Sequence, residues 1–160
     1  MDLPPAIRGR LFLSSMPGRY EPLEQSLRAM QDQKVSRIVC LASLDEVRDK
    51  SPDYYRALEG GEITWPVEVC PVPDYGIPED GGKFLGSVRR TADFIRSGRI
   101  VLVHCGAGKG RTGMFAVCTL IRLGMPPEVA HRIVSQADSG PETEEQCDFI
   151  RSVTPRLQAI

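Results

Sequence analysis

The sequence predicts an α/β fold: a mainly parallel sheet of four to five strands with helices on both faces. Three observations predict it. Short β-rich apolar runs alternate with longer segments whose apolar residues recur at helical spacing. The connection before the best strand candidate is long enough to carry a crossover helix, as parallel neighbours require. That strand candidate, Ile100-Val101-Leu102-Val103, runs through a glycine-rich turn directly into a buried helix, so a ligand site is expected at the carboxyl edge of the sheet.

Arg10 to Ser14 reads as the first strand and Ser36 to Ala42 as the second. Between them Pro22 opens a helix to about Gln33, with Leu23, Leu27 and Met30 on one face. Asp45 to Gly60 is polar and reads as one or two short helices ending at Gly60-Gly61. Trp65 to Val72 reads as the third strand. The crossover helix, Asp80 to Ser97, carries the stripe Phe84, Leu85, Val88, Ala92 and Ile95 and closes at Gly98. The helix after the glycine-rich turn is apolar nearly all round, so it should be buried, and Gly124 ends it. Pro126 or Pro127 starts the next, with Val129, Ala130, Ile133, Val134 and Ala137 inward. The last helix is expected from Glu144 to about Val153, frayed by Pro155. With no repeat, low-complexity tract or linker, residues 1–160 read as one domain.

Composition narrows the function classes. A chain of 160 residues that is 41% hydrophobic can bury a full core. A net charge of −1 supplies no global basic field for nucleic acid or a membrane surface, and neither is an expected partner. No apolar run reaches membrane-spanning length, so stable membrane insertion is not expected. Met1-Asp2-Leu3-Pro4-Pro5 has neither a basic start nor an apolar core, so no secretory signal is read there. Cysteines at positions 40, 70, 105, 118 and 147 lack metal-ligand spacing, and Cys40, Cys70 and Cys118 lie in apolar runs. Reduced thiols, a cytoplasmic location, no metal and no cofactor are the expectation.

The chemistry is concentrated in His104-Cys105-Gly106-Ala107-Gly108-Lys109-Gly110-Arg111-Thr112. A strand, a glycine-rich turn and a helix N-terminus make an anion cradle, because unpaired amides and the positive end of the helix dipole converge there. The backbone of Gly106, Ala107, Gly108, Lys109 and Gly110 would wrap a phosphate. Cys105 at the foot of the cradle is placed as nucleophile, favoured as thiolate by the same field. Arg111 offers a planar fork for two phosphate oxygens. A nucleotide-binding P-loop is excluded, since it would need glycine where Val103 stands and a hydroxyl where Gly110 stands. At average residue usage the full His-Cys-x-x-Gly-x-x-Arg-Ser/Thr pattern arises by accident in roughly one chain of this length in tens of thousands.

Phosphoester cleavage also needs an acid, because an alkoxide or phenoxide leaves poorly unless protonated. Asp74, in Val72-Pro73-Asp74-Tyr75-Gly76-Ile77-Pro78, falls just past the third strand as Cys105 falls just past the fourth. Parallel strands would open both loops on one edge of the sheet. Glu79 and Asp80 are the alternatives, and Pro-Asp-Tyr-Gly is also good turn chemistry. Thr112, opening the helix, can offer its hydroxyl to the departing sulfur or serve as a helix cap. His104 alternates to the face opposite Cys105, which removes it as a base. Lys109 and Arg111 make the loop positive, with Arg19 a candidate to join them.

His104 to Thr112 resembles the signature loop of the cysteine-dependent protein tyrosine phosphatase superfamily, and the short chain resembles its atypical dual-specificity branch. The order of elements from about Gly9 to Arg156 is most similar to the cyclin-dependent-kinase-inhibitor-3-type and Cdc14-like enzymes. The resemblance implies a protein tyrosine phosphatase-like fold, a cysteinyl-phosphate intermediate, Asp74 as general acid and His104 as a hydrogen-bonder that shapes the loop. It also aligns Glu142 with a water-placing glutamine of larger relatives and Gln146 with a second one. Thr143-x-x-Gln146 is equally a capping box, and the cap is the preferred reading. The implied substrate is a phosphorylated protein or peptide, phosphotyrosine ahead of phosphoserine and phosphothreonine. The loop is also similar to that of phosphoinositide phosphatases, but those carry a basic residue where this chain has Gly106. Relatives that trap the oxidised cysteine place its partner where Ala42 lies; Cys40 is one strand repeat deeper, roughly 7 Å away, so no efficient Cys105–Cys40 bridge is expected. The competing classes are a phospho-binding module without turnover, which the presence of every residue needed for chemistry argues against, and a sulfurtransferase or arsenate reductase, which would need neither Asp74 nor the His104–Thr112 pattern.

Overall fold

The computed structural model describes residues 3–159. Among them β1 (Arg10–Ser14), β2 (Arg37–Cys40), β3 (Val67–Val69) and β4 (Ile100–His104) form one sheet in the order β1-β4-β2-β3, every pairing parallel. The helices are α1 (Leu23–Asp32), α2 (Leu44–Lys50), α3 (Pro52–Glu59), α4 (Gly81–Arg96), α5 (Gly110–Arg122), α6 (Pro127–Gln136) and α7 (Glu144–Gln158). The α/β class is the expected one, with four strands. None of these helices is long and apolar enough to cross a membrane.

Strand alternation splits the core in two. Val101 and Val103 of β4, with Leu11, Val39 and Leu41, pack beneath α4 to α7. Ile100 and Leu102 turn the other way, against Leu27 and Met30 of α1. Cys40 and Ala42 meet Val47 of α2 and Tyr54 of α3 on that second face. Phe84 ties α4 to its neighbours through edge-on contacts with Phe115 of α5 at 5.3 Å and Phe149 of α7 at 5.5 Å. Every residue of α5 from Gly110 to Ile121 is buried, as its all-round apolarity predicts. Truncating a core ring such as Phe84 to alanine costs about 3–5 kcal/mol.

Three boundaries differ from the sequence expectation. The third strand is only Val67–Val69, although Cys70 N–H and Val72 N–H still bond to the Cys40 and Leu41 carbonyls. Pro66, Pro71 and Pro73 have no N–H to donate, so regular pairing cannot extend. α7 runs through Pro155 to Gln158. Burial of Ile150, Val153 and Leu157 outweighs one missing hydrogen bond, and Arg122 Nη1 caps the far end by donating to the Leu157 and Ala159 carbonyls at 3.2 and 2.7 Å. Ala137 lies just past α6 and is exposed rather than inward.

The topology decides where chemistry can occur. β4 is central, and α4 crosses to it from β3 on the face opposite α1, so the chain reverses its winding beside β4. Four parallel strands deliver four loops to one edge. Those loops are residues 15–22, 41–43, 70–80 and 105–109.

Candidate active site

The loop after β4 is built around two close backbone approaches. Gly108 sits at φ +77°, and a Cβ there would stand 2.6 Å from the Ser14 carbonyl carbon, so both conformation and space demand glycine. Gly113, one turn into α5, abuts Gly140 so tightly that a Cβ would lie 2.2 Å from its nitrogen. Ser139 then braces the loop from the α6–α7 connection, its hydroxyl shared between the Gly108 and Lys109 carbonyls at 3.0 and 2.9 Å. Met16 N–H donates to the Gly106 carbonyl at 3.1 Å from the other side.

Cys105 lies at the floor of this loop, 3% exposed, and its Sγ accepts the Gly108 N–H at 3.3 Å. Behind it His104 is fully buried. A carbonyl only accepts, so Nδ1–H donates to the Cys105 carbonyl at 3.1 Å, which leaves Nε2 to accept the Tyr54 hydroxyl at 3.1 Å. Burial pushes the His104 pKa down to about 4, so it is neutral.

Arg111 is 2% exposed and held from three sides. Its Nη1 and Nη2 donate to Glu46 Oε2 and Oε1, both at 2.8 Å, and Nη1 also donates to the Val72 carbonyl at 3.0 Å. Asp74 Oδ1 stands 3.1 Å from Nη2. Lys50 Nζ bridges the same two carboxylates, 2.7 Å from Glu46 and 3.5 Å from Asp74. The hydrogen bond from Arg111 is the main force that holds the Glu46 carboxyl down at about 2, against the opposing effect of burial. Asp74 is thus brought to the cavity as the sequence expects. Asp80 is not: its carboxylate caps α4 by accepting the Lys83 N–H at 2.9 Å.

Other expected phosphate ligands are differently engaged. The Gly110 amide is occupied by Glu142 Oε2 at 3.1 Å, a carboxylate at the positive end of α5. The Lys109 side chain turns outward to the backbone and carboxylate of Asp138. Thr112 Oγ1 is buried without any hydrogen-bond partner, so the hydroxyl does not bond the Cys105 sulfur here. Gln146 does two jobs. Its backbone N–H is capped by Thr143 Oγ1 at 3.1 Å, the expected half of the capping box. Its side chain accepts the Glu142 N–H at 2.8 Å, rather than closing the box on Thr143, and donates to the Gly76 carbonyl at 3.1 Å. It therefore clamps the loop that carries Asp74.

Cys105, Arg111, Asp74, Lys50 and Glu142 line a cavity of about 210 Å³, with Tyr20 and Tyr75, each 63% exposed, among its walls. Tyr75 holds φ +60°, a strained conformation for tyrosine, in the tight Pro73–Gly76 turn. Over Gly106, where a side chain would begin, stand Arg19 Nη1 and Lys50 Nζ, 2.9 and 3.0 Å from the position of a Cβ. Glu46 and Lys50 are site residues that the sequence does not reveal: they fall in a stretch legible only as polar and helical, with nothing to mark their pairing with Arg111 and Asp74. Cys40 donates its thiol to the Ala42 carbonyl at 3.4 Å, and burial raises its pKa to about 12, which makes it a poor partner for an oxidised Cys105. Among the described residues, no group of three or more His, Cys, Asp or Glu is arranged to hold a metal ion.

A single parallel sheet covered by helices on both faces, with a glycine-rich anion loop after a central strand, a cysteine at its start and an arginine just past its end, has the build of a cysteine-type phosphatase domain. The chain belongs to the dual-specificity phosphatase domains of the protein tyrosine phosphatase superfamily: the family model described as "Swiss Army Knife protein, DSP-PTPase phosphatase domain" (PTP-SAK) matches residues 8–159. Among solved structures it is similar to kinase associated phosphatase (KAP), described with its catalytic-site cysteine replaced by serine. That match has a TM-score of 0.77 and 19% identity over 94% of this chain and 88% of the other. Tk-PTP in its active form matches with a TM-score of 0.72 and 26% identity, over 95% of this chain and 98% of that one. PTPMT1 in complex with PI(5)P matches with a TM-score of 0.70 and 17% identity, over 92% of each chain.

Proposed function

We propose that the chain hydrolyses phosphoric monoesters through a cysteinyl-phosphate intermediate. The observation that carries this reading is the meeting of Cys105, Arg111 and Asp74 around one cavity, with Asp74 3.1 Å from the Arg111 guanidinium. A phosphate entering the loop takes over Arg111 and frees the Asp74 carboxyl to turn toward the leaving oxygen. The Cys105 thiolate attacks phosphorus as the ester P–O bond breaks, and the Asp74 proton passes to the departing alkoxide or phenoxide. Loop amides and the Arg111 fork stabilise charge on the phosphoryl oxygens. In the second step the Asp74 carboxylate takes a proton from water as that oxygen attacks phosphorus. The S–P bond then breaks, Cys105 leaves as thiolate and inorganic phosphate departs. The unpartnered Thr112 hydroxyl is the donor for that thiolate.

Tyr20 and Tyr75 as walls support a ring-borne phosphate, which favours phosphotyrosine over phosphoserine and phosphothreonine. A phosphoinositide headgroup is the second reading, favoured by Arg19 and Lys50 standing over Gly106. Free cysteines throughout the described residues suit a reducing compartment such as the cytoplasm. The test is phosphate release in EDTA and reductant from a phosphotyrosine peptide, a phosphothreonine peptide and a soluble phosphoinositide, wild type against Cys105→Ser. Release abolished by the substitution is expected. Release that survives it overturns the cysteine mechanism, and no release from any of these or from para-nitrophenyl phosphate overturns the hydrolase reading.

A further inference from the structure

A second cavity, of about 210 Å³, lies among β1, α1 and the loop of residues 15–22. It shares no lining residue with the cavity over Cys105. Met30, Val35 and Leu102, all buried, and the half-buried Phe12 make it apolar, and Leu102 brings it down to the central strand β4. Its upper wall is held in place without a ligand. The Ser51 hydroxyl donates to the Pro17 carbonyl at 2.8 Å, and Arg19 N–H donates to the Met16 carbonyl at 3.1 Å. Glu21 is the one charged residue on the lining, half-buried where α1 begins. Its Oε1 accepts the Ser26 hydroxyl at 2.5 Å, and Ser26 Oγ in turn accepts the Gly18 N–H at 3.1 Å. The serine proton is therefore spent. Among the described residues no cation pairs with Glu21 and no donor reaches its Oε2, whereas Glu24 on the same helix has Arg28. The N-terminal end of α1 tolerates a negative charge there but supplies no counter-ion.

We infer that this cavity is a binding site for a small organic cation, a primary amine carrying one aromatic ring or a branched alkyl group of similar size. Volume sets the body of the ligand. An apolar cavity of about 150 Å³ takes a benzene ring. The larger space here holds a ring with a short linker, and is too small for a nucleotide or a fused polycycle. Glu21 sets the head. A neutral ring would shut a half-buried carboxylate away from water with its second oxygen unpaired, and an anion would meet like charge. An ammonium at the end of the linker supplies both the donor and the counter-charge that Glu21 lacks. A free small molecule fits better than a protein partner. A protein interface surrounds its anchor with further apolar surface, but among the exposed residues of α1 only Ala29 is apolar. Because the two cavities have no wall in common, amine and phosphate are expected to bind together, and occupancy of this site does not depend on hydrolysis at Cys105.

The experiment titrates the full chain with phenethylamine, phenethyl alcohol and hydrocinnamate, three probes of one ring that differ in the charge of the head. Backbone amide shifts read by NMR give both the affinity and the place of binding, with and without excess inorganic phosphate. The amine is expected to shift amides of α1 and residues 15–22 and to bind at least about tenfold tighter than the alcohol, with the carboxylate weakest. Glu21→Gln keeps an acceptor for the Ser26 hydroxyl and is expected to erase the margin between amine and alcohol. Ala29→Leu places bulk on the exposed edge of the lining and is expected to abolish binding of both while leaving the melting temperature unchanged. Alcohol or carboxylate binding as tightly as the amine overturns the site, and so does a margin that survives Glu21→Gln. No shift with the amine at about 10 mM overturns it as well. Amine displaced by phosphate, or shifts confined to residues 105–112, would move the ligand to the carboxylates of the other cavity and overturn it too. Loss of all phosphatase activity in the wild type would sink the hydrolase reading and leave these binding results to decide the amine site alone.

Discussion

Glu46→Gln is the substitution whose consequence the geometry specifies most fully. It keeps the shape of the side chain and removes the charge that takes both Nη atoms of Arg111 at 2.8 Å and Lys50 Nζ at 2.7 Å. Arg111, 2% exposed, cannot replace that charge with water. Those bonds lower the Glu46 pKa from 4.5 to about 2. Full linkage would make that shift worth roughly 3 kcal/mol, and screening at the open side of the cavity reduces it to about 2 kcal/mol at neutral pH. The corresponding drop in melting temperature is about 4–8 °C. A carboxyl whose pKa is lowered by folding stabilises fully above its unfolded value and loses that contribution as pH falls through its folded value. The gap between wild type and variant is therefore complete above 4.5 and closes as pH falls toward about 2. Urea unfolding of both proteins across the acid range measures it, and by pH 3 the gap is expected to have shrunk to roughly half or less. A neutral-pH gap under about 0.5 kcal/mol, or a gap of constant size down to pH 3, refutes the assigned role of the Arg111–Glu46 pair.

Three further outcomes are expected. Because His104 titrates at about 4 in the fold and 6.5 outside it, wild-type stability should fall by up to roughly 3 kcal/mol as pH drops through that window, and His104→Asn should flatten the slope in matched urea titrations. Gly113→Ala drives a Cβ to 2.2 Å from the Gly140 backbone nitrogen and should cost about 3 kcal/mol or more, read as a lowered melting temperature; a variant as stable as wild type would show that the α5 contact with the α6–α7 connection is loose. Gln146→Ala releases the Gly76 carbonyl and the Glu142 N–H, so it should destabilise by about 2 kcal/mol. It should also slow esters with poor leaving groups more than para-nitrophenyl phosphate, since the Asp74 loop loses its clamp; equal slowing would leave Gln146 with a stability role alone.

The elements were legible where their signals are local. Phe84, Leu85, Val88, Ala92 and Ile95 repeat at helical spacing because one face of α4 is buried, and all five are buried. Gly108 and Gly124 mark left-handed turns that only glycine enters cheaply, at φ +77° and +100°. Where burial opposed a local signal, burial won: Pro155 reads as a helix end, yet Leu157 beyond it is 1% exposed and keeps α7 intact. Glu46 and Lys50 had no such marker. At spacing i, i+4 they look like an ordinary solvated ion pair, and only the pairing of β2 with β4 brings the start of α2 against Arg111.

What the sequence by itself determined was the anion loop from His104 to Thr112, the strand–helix alternation that places it at a sheet edge, and the position of Asp74 at that same edge. These follow from glycine sterics, apolar periodicity and the needs of phosphoester chemistry, all readable within a short stretch of chain. Only the tertiary structure decided which charges meet. Glu46 neutralises Arg111, Glu142 occupies the Gly110 amide, Gln146 holds the Asp74 loop, and Arg19 is left without a carboxylate. Coulombic and hydrogen-bonding partners are set by distances of about 3 Å in space, and separation along the chain carries no record of them.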